Sequence, residues 1–219
     1  MKTDSKENKT ILSFEDYKKQ ILEDYSVIFT SRETSKLGRR EVLSGKGTFG
    51  IFGDGKELPQ IVLNRFFKAG DFRSGYYRDQ TLLFAQGHLN PKKLFSSIYA
   101  NTDIKKEPMS AGRQMVGHFS TMLIDDKGNW LDQVSMKNHI SDVSSTAAQM
   151  PRLIGLAQAS KIYRNLKIKS AIKAKLKIIF CIGESLTEKK RGKTKFILSK
   201  QIKFGLNKIK KKSNIFIAY

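Results

Sequence analysis

Apolar and polar positions alternate in two different rhythms along this chain. Ser13, followed by Glu15 and Asp16, reads as a helix N-cap with acids in the first turn, where a hydroxyl and negative charge meet unpaired N–H groups. Tyr17, Ile21, Tyr25, Ile28 and Phe29 then recur at spacings of three and four, the stripe of an amphipathic helix. A polar stretch with Gly38 leads to Glu41, Val42 and Leu43, and the glycines from Gly45 to Gly55 predict turns and close backbone approaches. Pro59 opens a predicted helix carrying Ile61, Val62, Phe66 and Phe67. Residues 70–75 read as a turn, followed by a helical pattern through Leu83 and Phe84 and, past Pro91, Leu94, Phe95 and Tyr99. Residues 102–143 are polar and irregular, a length of loop expected only where it is functional or disordered. From Ser144 a serine-rich entry leads into a helix with Leu153, Leu156 and Ala157 on one face, where Gly155, Ala157 and Ala159 permit close packing.

The last 54 residues scan differently. Lys177 to Gly183 is an apolar run flanked by lysine and glycine, the mark of a strand buried on both faces. Lys193 to Ile209 predicts a helix with Phe196, Ile197, Ile202, Leu206 and Ile209 on one side, and Ser213 to Tyr219 predicts a second buried strand. Strand, helix and strand make one β-α-β unit whose sheet must continue elsewhere, and no continuation is expected here.

Composition sharpens that division. The net charge is +21, but Leu166 to Tyr219 carries 16 basic and 2 acidic residues, and 10 isoleucines against 11 in the first 165 residues. So sharp a step points to two sources of sequence joined near Arg164, by a rearranged gene or a mis-joined assembly, the abruptness favouring the latter. Three segments are therefore expected: a polar tail over 1–12, a first domain over 13–165 and a second piece over 166–219. The single cysteine, Cys181, excludes a disulfide framework and suggests a reducing, cytoplasmic setting. No apolar run approaches the ~20 residues that cross a bilayer, and the N-terminus lacks the apolar core of a signal peptide. The lysine clusters Lys173, Lys175, Lys177 and Lys208 to Lys212 favour weak, non-specific nucleic-acid binding at most, since few aromatics are interleaved to stack on bases.

Several motifs carry candidate chemistry. Gly45-x-Gly47-x-x-Gly50 matches a nucleotide-loop pattern but follows no clear strand, so turn glycines are the better reading. Arg191 to Thr194 resembles the end of a Walker motif, yet Thr187 stands where its first glycine belongs. Tyr77 and Arg78 offer a phenol and a guanidinium fork suited to diphosphate oxygens, against the plainer reading of a surface ion pair with Asp79. Gly112 to His118 sets Arg113 and His118 in a glycine-flexed loop, and Ser144 to Gln149 could form an anion site at a helix N-terminus or an ordinary cap.

Taken together, GYYRDQ, EPMSAGRQMVGHFST and SSTAAQMPRLIGLAQASKIYR resemble, in order and spacing, the alpha subunit of the decarboxylating component of the branched-chain 2-oxo acid dehydrogenase, over about residues 13–164. The resemblance implies a mostly helical portion of a thiamine-diphosphate-binding α/β fold and oxidoreductase chemistry in the intact parent, with a beta subunit or beta half and a lipoyl-bearing acyltransferase as partners. It places Tyr77, Arg78, Ser144 and Thr146 on the thiamine diphosphate, Arg113, Gln114 and His118 at the active-site entrance, and Ser145 and Gln149 at a monovalent cation. Ser145 and Ala148 depart from residues common at that cation site. The family's magnesium motif has no counterpart, Gly53-Asp54-Gly55 lying far too early, so catalysis by this chain is not expected. From about Lys167 to Tyr219, the CIGE and GKT elements resemble the fifth and sixth strands of triosephosphate isomerase, and imply one β-α-β unit of its barrel. That family's catalytic glutamate would follow Tyr219, its lysine and histidine would lie earlier, and no isomerase catalytic residue carries over.

Overall fold

The computed structural model describes residues 12–145, 147–165, 178–182 and 214–218. These form a mixed α/β arrangement, mostly helical, around a small parallel sheet. In chain order the elements are α1 (Phe14–Leu43), α2 (Glu57–Phe66), β1 (Phe72–Tyr76), α3 (Gln80–Ala85), α4 (Pro91–Ile98), β2 (Asn138–Val143), α5 (Gln149–Asn165), β3 (Ile178–Ile182) and β4 (Asn214–Ala218).

Local chemistry sets several boundaries. The Ser13 hydroxyl accepts from the Asp16 N–H at 3.1 Å and caps α1, while Asn90 accepts from the Lys93 N–H and Pro91 opens α4. α1 runs on to Leu43 through the polar stretch around Gly38. A Cβ there would come within 2.6 Å of the Phe52 ring, so glycine serves close packing in mid-helix. The stripe Tyr17, Ile21, Tyr25 and Phe29 is exposed. The face that α1 buries is small and polar: Ser31 bonds Thr81 at 2.7 Å, and Gln80 Nε2 donates to Ser35 Oγ at 2.6 Å. Short hydroxyl side chains let α1 lie close to α3, and their mutual hydrogen bonds offset the cost of burying them.

The sheet runs β2-β1-β3-β4 with all strands parallel. β1 pairs with β2 from Phe72↔Asn138 to Tyr76↔Val143, with an irregularity between Ser74 and Tyr76. On its other edge β1 pairs with β3, Ser74 lying opposite Cys181, and β3 pairs with β4 from Ile178↔Asn214 to Ile182↔Ala218. This corrects the expectation that the C-terminal strands have no sheet to join: they extend the one begun by β1 and β2. Two further corrections concern those strands themselves. β1 occupies the segment read as a turn, and β2 lies within the stretch read as irregular loop. Both were hidden because polar side chains are buried in them: Arg73, Ser74, Asn138, His139 and Asp142 are all buried.

The main apolar cluster joins Phe52, Leu83, Leu89, Leu94, Ile98, Val116 and Phe119, and a smaller one joins Leu63, Phe67 and Leu82. The early glycines serve this packing. Gly45 turns the chain after α1 at φ 74°, and a Cβ on Gly47 or Gly50 would meet Ile98 at 2.5 Å or Val116 at 2.7 Å. Gly75 has a sharper role, because a Cβ there would fall on the Arg73 guanidinium and the Asp142 carboxylate. Gly75→Ala is predicted to cost at least about 1–3 kcal/mol, as for other overpacked interiors. Urea denaturation monitored by circular dichroism checks this, and an unchanged midpoint would contradict it.

Candidate functional site

Ligands of parallel α/β sheets gather outside the carboxyl ends of the strands. Here β1 ends at Tyr76 and passes into Tyr77 and Arg78, while β2 ends at Val143 and passes into Ser144. The loop before β2 brings His118 between them. The Tyr77 and His118 rings stack with centroids 6.1 Å apart, and His118 Nε2 lies 2.6 Å from Ser144 Oγ. The Met115 carbonyl, 3.1 Å from His118 Nδ1, can only accept, so in the neutral ring Nδ1 carries the hydrogen and Ser144 donates to Nε2. The Arg78 guanidinium carbon sits 5.5 Å from the Tyr77 ring centroid and 5.9 Å from that of Tyr76, within cation–π range. Tyr76 donates its phenol hydrogen to Tyr77 at 2.7 Å. Tyr77, Arg78, His118 and Ser144 thus form one continuous chain of contacts, with hydroxyl, imidazole and guanidinium groups suited to an anion.

The other expected residues stand apart. Arg113 and Gln114 are exposed, and Arg113 Nε donates to the Ser110 carbonyl at 3.1 Å. Ser145 accepts at its carbonyl from the Ala148 N–H, and the buried Gln149 accepts at its carbonyl from Ser74 Oγ at 2.9 Å. Thr146 lies outside the described residues, as does the Arg191–Thr194 segment. Among the described residues no group of three or more His, Cys, Asp or Glu side chains could hold a metal ion. The donors suit a phosphate group.

Asp79 is not the surface partner of Arg78. It is buried and pairs with Arg73, which has no exposed surface and also bonds Asp142, at 2.9 Å and 2.6 Å respectively. Burial pushes the Asp142 carboxyl up to about 8; Arg73 opposes this shift and the second carboxylate, Asp79, adds to it. Burial and the Arg73 charge hold the His139 ring well below its ordinary value, so it stays neutral. Its Nδ1 lies 3.1 Å from Arg73 Nη1 and therefore accepts, leaving Nε2–H to donate to Gln86 Oε1 at 2.7 Å.

Glu107 is a further residue the sequence did not reveal. Fully buried, it accepts from the N–H groups of Met109, Ser110 and Gly112 and from the Ser110 hydroxyl, at 2.8 to 3.1 Å. Burial alone would raise its carboxyl, but these donors outweigh it and hold the group below its ordinary range. Its contribution is therefore present above about pH 4.5 and is lost as pH falls through the lowered value. No local sequence pattern marks it, since its partners are mostly backbone groups. Glu107→Gln is predicted to loosen residues 109–114 and to speed tryptic cleavage after Arg113 on the order of tenfold, for the roughly 1–3 kcal/mol of such bonds. A cleavage rate equal to that of the unaltered protein would contradict this role.

Comparison with known proteins locates one clear likeness. Residues 157–219 match the family model of triosephosphate isomerase, a span that begins inside α5, some ten residues before the expected start at Lys167. The chain is similar to triosephosphate isomerase of Prosthecochloris aestuarii, 42% identical over 55 residues, covering 25% of this chain and 22% of that protein. It is 46% identical over 57 residues to that of Dictyoglomus thermophilum, covering 25% and 23%, and 28% identical over 134 residues to that of Dictyoglomus turgidum, covering 57% and 49%. The chain thus spans less than half the length of these relatives. These findings correct the expected assignment to thiamine-diphosphate-dependent oxidoreductases of branched-chain amino acid degradation: the similarity found lies with an isomerase. Among the described residues no helix is long and apolar enough to cross a membrane.

Proposed function

We propose that this chain carries a partial triosephosphate isomerase segment that supplies structure without isomerase catalysis. The family match over residues 157–219 carries this reading. That segment contributes β3 and β4, which continue the sheet that β1 and β2 begin. The match covers only residues 157–219, a part of the isomerase family's length. The chain is expected to interconvert triose phosphates no faster than buffer does, in a coupled assay at micromolar protein. Saturable turnover above the buffer rate would contradict this.

A second reading concerns the first part of the chain and is independent of that match. We infer that Tyr77, Arg78, His118 and Ser144 bind the phosphate of a small phosphorylated ligand. The contact chain from Arg78 through Tyr77 and His118 to Ser144, at the carboxyl ends of two parallel strands, favours it. Arg78 would supply the charge-assisted bonds, Tyr77 and Ser144 neutral hydroxyls, and His118 an imidazole nitrogen. Arg78→Ala is predicted to weaken pyrophosphate binding, measured by calorimetric titration, roughly tenfold to a hundredfold, as befits loss of a charged hydrogen-bonding partner. Equal affinity in the two proteins would refute it.

A further inference from the structure

The three segments that meet at this site share an anchor beneath them. Arg73 Nε and Nη2 both donate to Asp79 Oδ2, at 3.2 and 2.9 Å, and Nη2 also donates to Asp142 Oδ1 at 2.6 Å. Each carboxylate then reaches a loop. Asp79 Oδ2 accepts the Tyr76 N–H at 2.9 Å, bracketing Tyr77 and Arg78, and Asp142 Oδ2 accepts the Phe119 N–H at 3.2 Å, the residue after His118. Asp142 itself stands two residues before Ser144 on β2.

We propose that Arg73, Asp79 and Asp142 form a buried, proton-sensitive clamp that registers the loops carrying Tyr77, Arg78, His118 and Ser144, so that anion affinity follows the protonation of the carboxylate pair. This rests on the anion-site reading above for its functional consequence, but not for its structural one. The charge count within the clamp drives it. One guanidinium faces two carboxylates, and the third polar neighbour, His139, is neutral and bonds Arg73 through Nδ1, so it offers no second positive charge. When both acids are ionised the cluster holds one excess negative charge in a place almost closed to water. That charge also lies beside the proposed anion site, and protonation of one carboxylate relieves it.

Other charged groups bear on this cluster from around it. Lys56 acts on Asp79, and His88 and Lys137 act on His139. From α5, Arg152 donates to the Ser141 carbonyl beside Asp142 at 2.6 Å. Asp142, pushed up to about 8, is more protonated folded than unfolded, so stability falls as pH rises from about 4 to about 8 and is level above that. His88 and His139, held low, act in the opposite sense only up to about pH 6.5. Above about pH 6.5 the two histidines no longer contribute to this dependence, and the Asp142 shift remains.

The test is amide NMR of the ligand-free protein from pH 6.5 to 9, on the full chain and on Asp142→Asn, with Asp79→Asn as a second variant. In the unaltered chain the amides of Tyr77, Phe119 and Ser144 should titrate together with one midpoint near 8. Either variant that folds should abolish that shared step. Amides that stay still, or that move with unrelated midpoints in the unaltered chain, overturn the clamp whatever the variants do. Sulfate, whose charge is constant over this range, tests the functional consequence. Its affinity should fall on the order of threefold to tenfold more between pH 7 and 8.5 in the unaltered chain than in Asp142→Asn, for one added charge nearby. Equal losses in the two proteins overturn the link to affinity. Sulfate binding to neither protein at any pH refutes the anion-site reading, and the clamp is then judged by the shared titration alone.

Discussion

Burying Arg73 within β1 obliges the surrounding chain to supply partners for its guanidinium, because a charge removed from water without them is very costly. The partners come from three directions. Asp79 arrives from the turn after β1, Asp142 from the neighbouring strand β2, and His139 from three residues earlier on that strand. Gly75 is the concession that makes room, since any side chain there would overlap the ion cluster. The register of β1 against β2, the entry to α3 and the approach of the Phe119 loop are all set by the same few bonds. The candidate anion site sits on the ends of these segments and inherits their geometry.

Much of the helical framework was legible from residue pattern alone. Ser13 with its acids and Asn90 with Pro91 carry their capping chemistry in short sequence windows, and the structure places helix starts at both. The parallel strands of the first part were not legible, for a physical reason. A strand that buries Arg73 and Ser74, or Asn138, His139 and Asp142, lacks the apolar alternation by which strands are recognised, and its stability comes from polar partners distant in sequence. The apolar run of β3, by contrast, was evident because it is conventional. At the site, Tyr77, Arg78, His118 and Ser144 were readable as residue types in suggestive settings, and the structure brings them together. Glu107 and the Arg73 cluster were not readable, because their roles are to hold backbone and loops.

The strands of the isomerase-like span and those before it meet in one sheet. β3, from the segment similar to triosephosphate isomerase, pairs with β1 across Phe72 to Ser74, and β4 follows on its outer edge. Parallel pairing asks little of side-chain identity beyond buried, extended backbone. Two such strands can therefore satisfy the open edge of β1 without bringing catalytic residues with them. This separates architecture from chemistry: the likeness to an isomerase accounts for strands, while the polar cluster at the ends of β1 and β2 accounts for the candidate site.

The central claim is that the ion cluster around Arg73 holds the site loops as firmly as the sheet itself. Native-state hydrogen exchange of the Tyr76 and Phe119 amides, which donate to Asp79 and Asp142, tests it most directly. If the claim holds, both amides exchange as slowly as those in the centre of β1, through opening of the whole unit. Exchange at rates typical of exposed loops, while β1 stays protected, would show that the cluster does not fix these segments and would contradict the account.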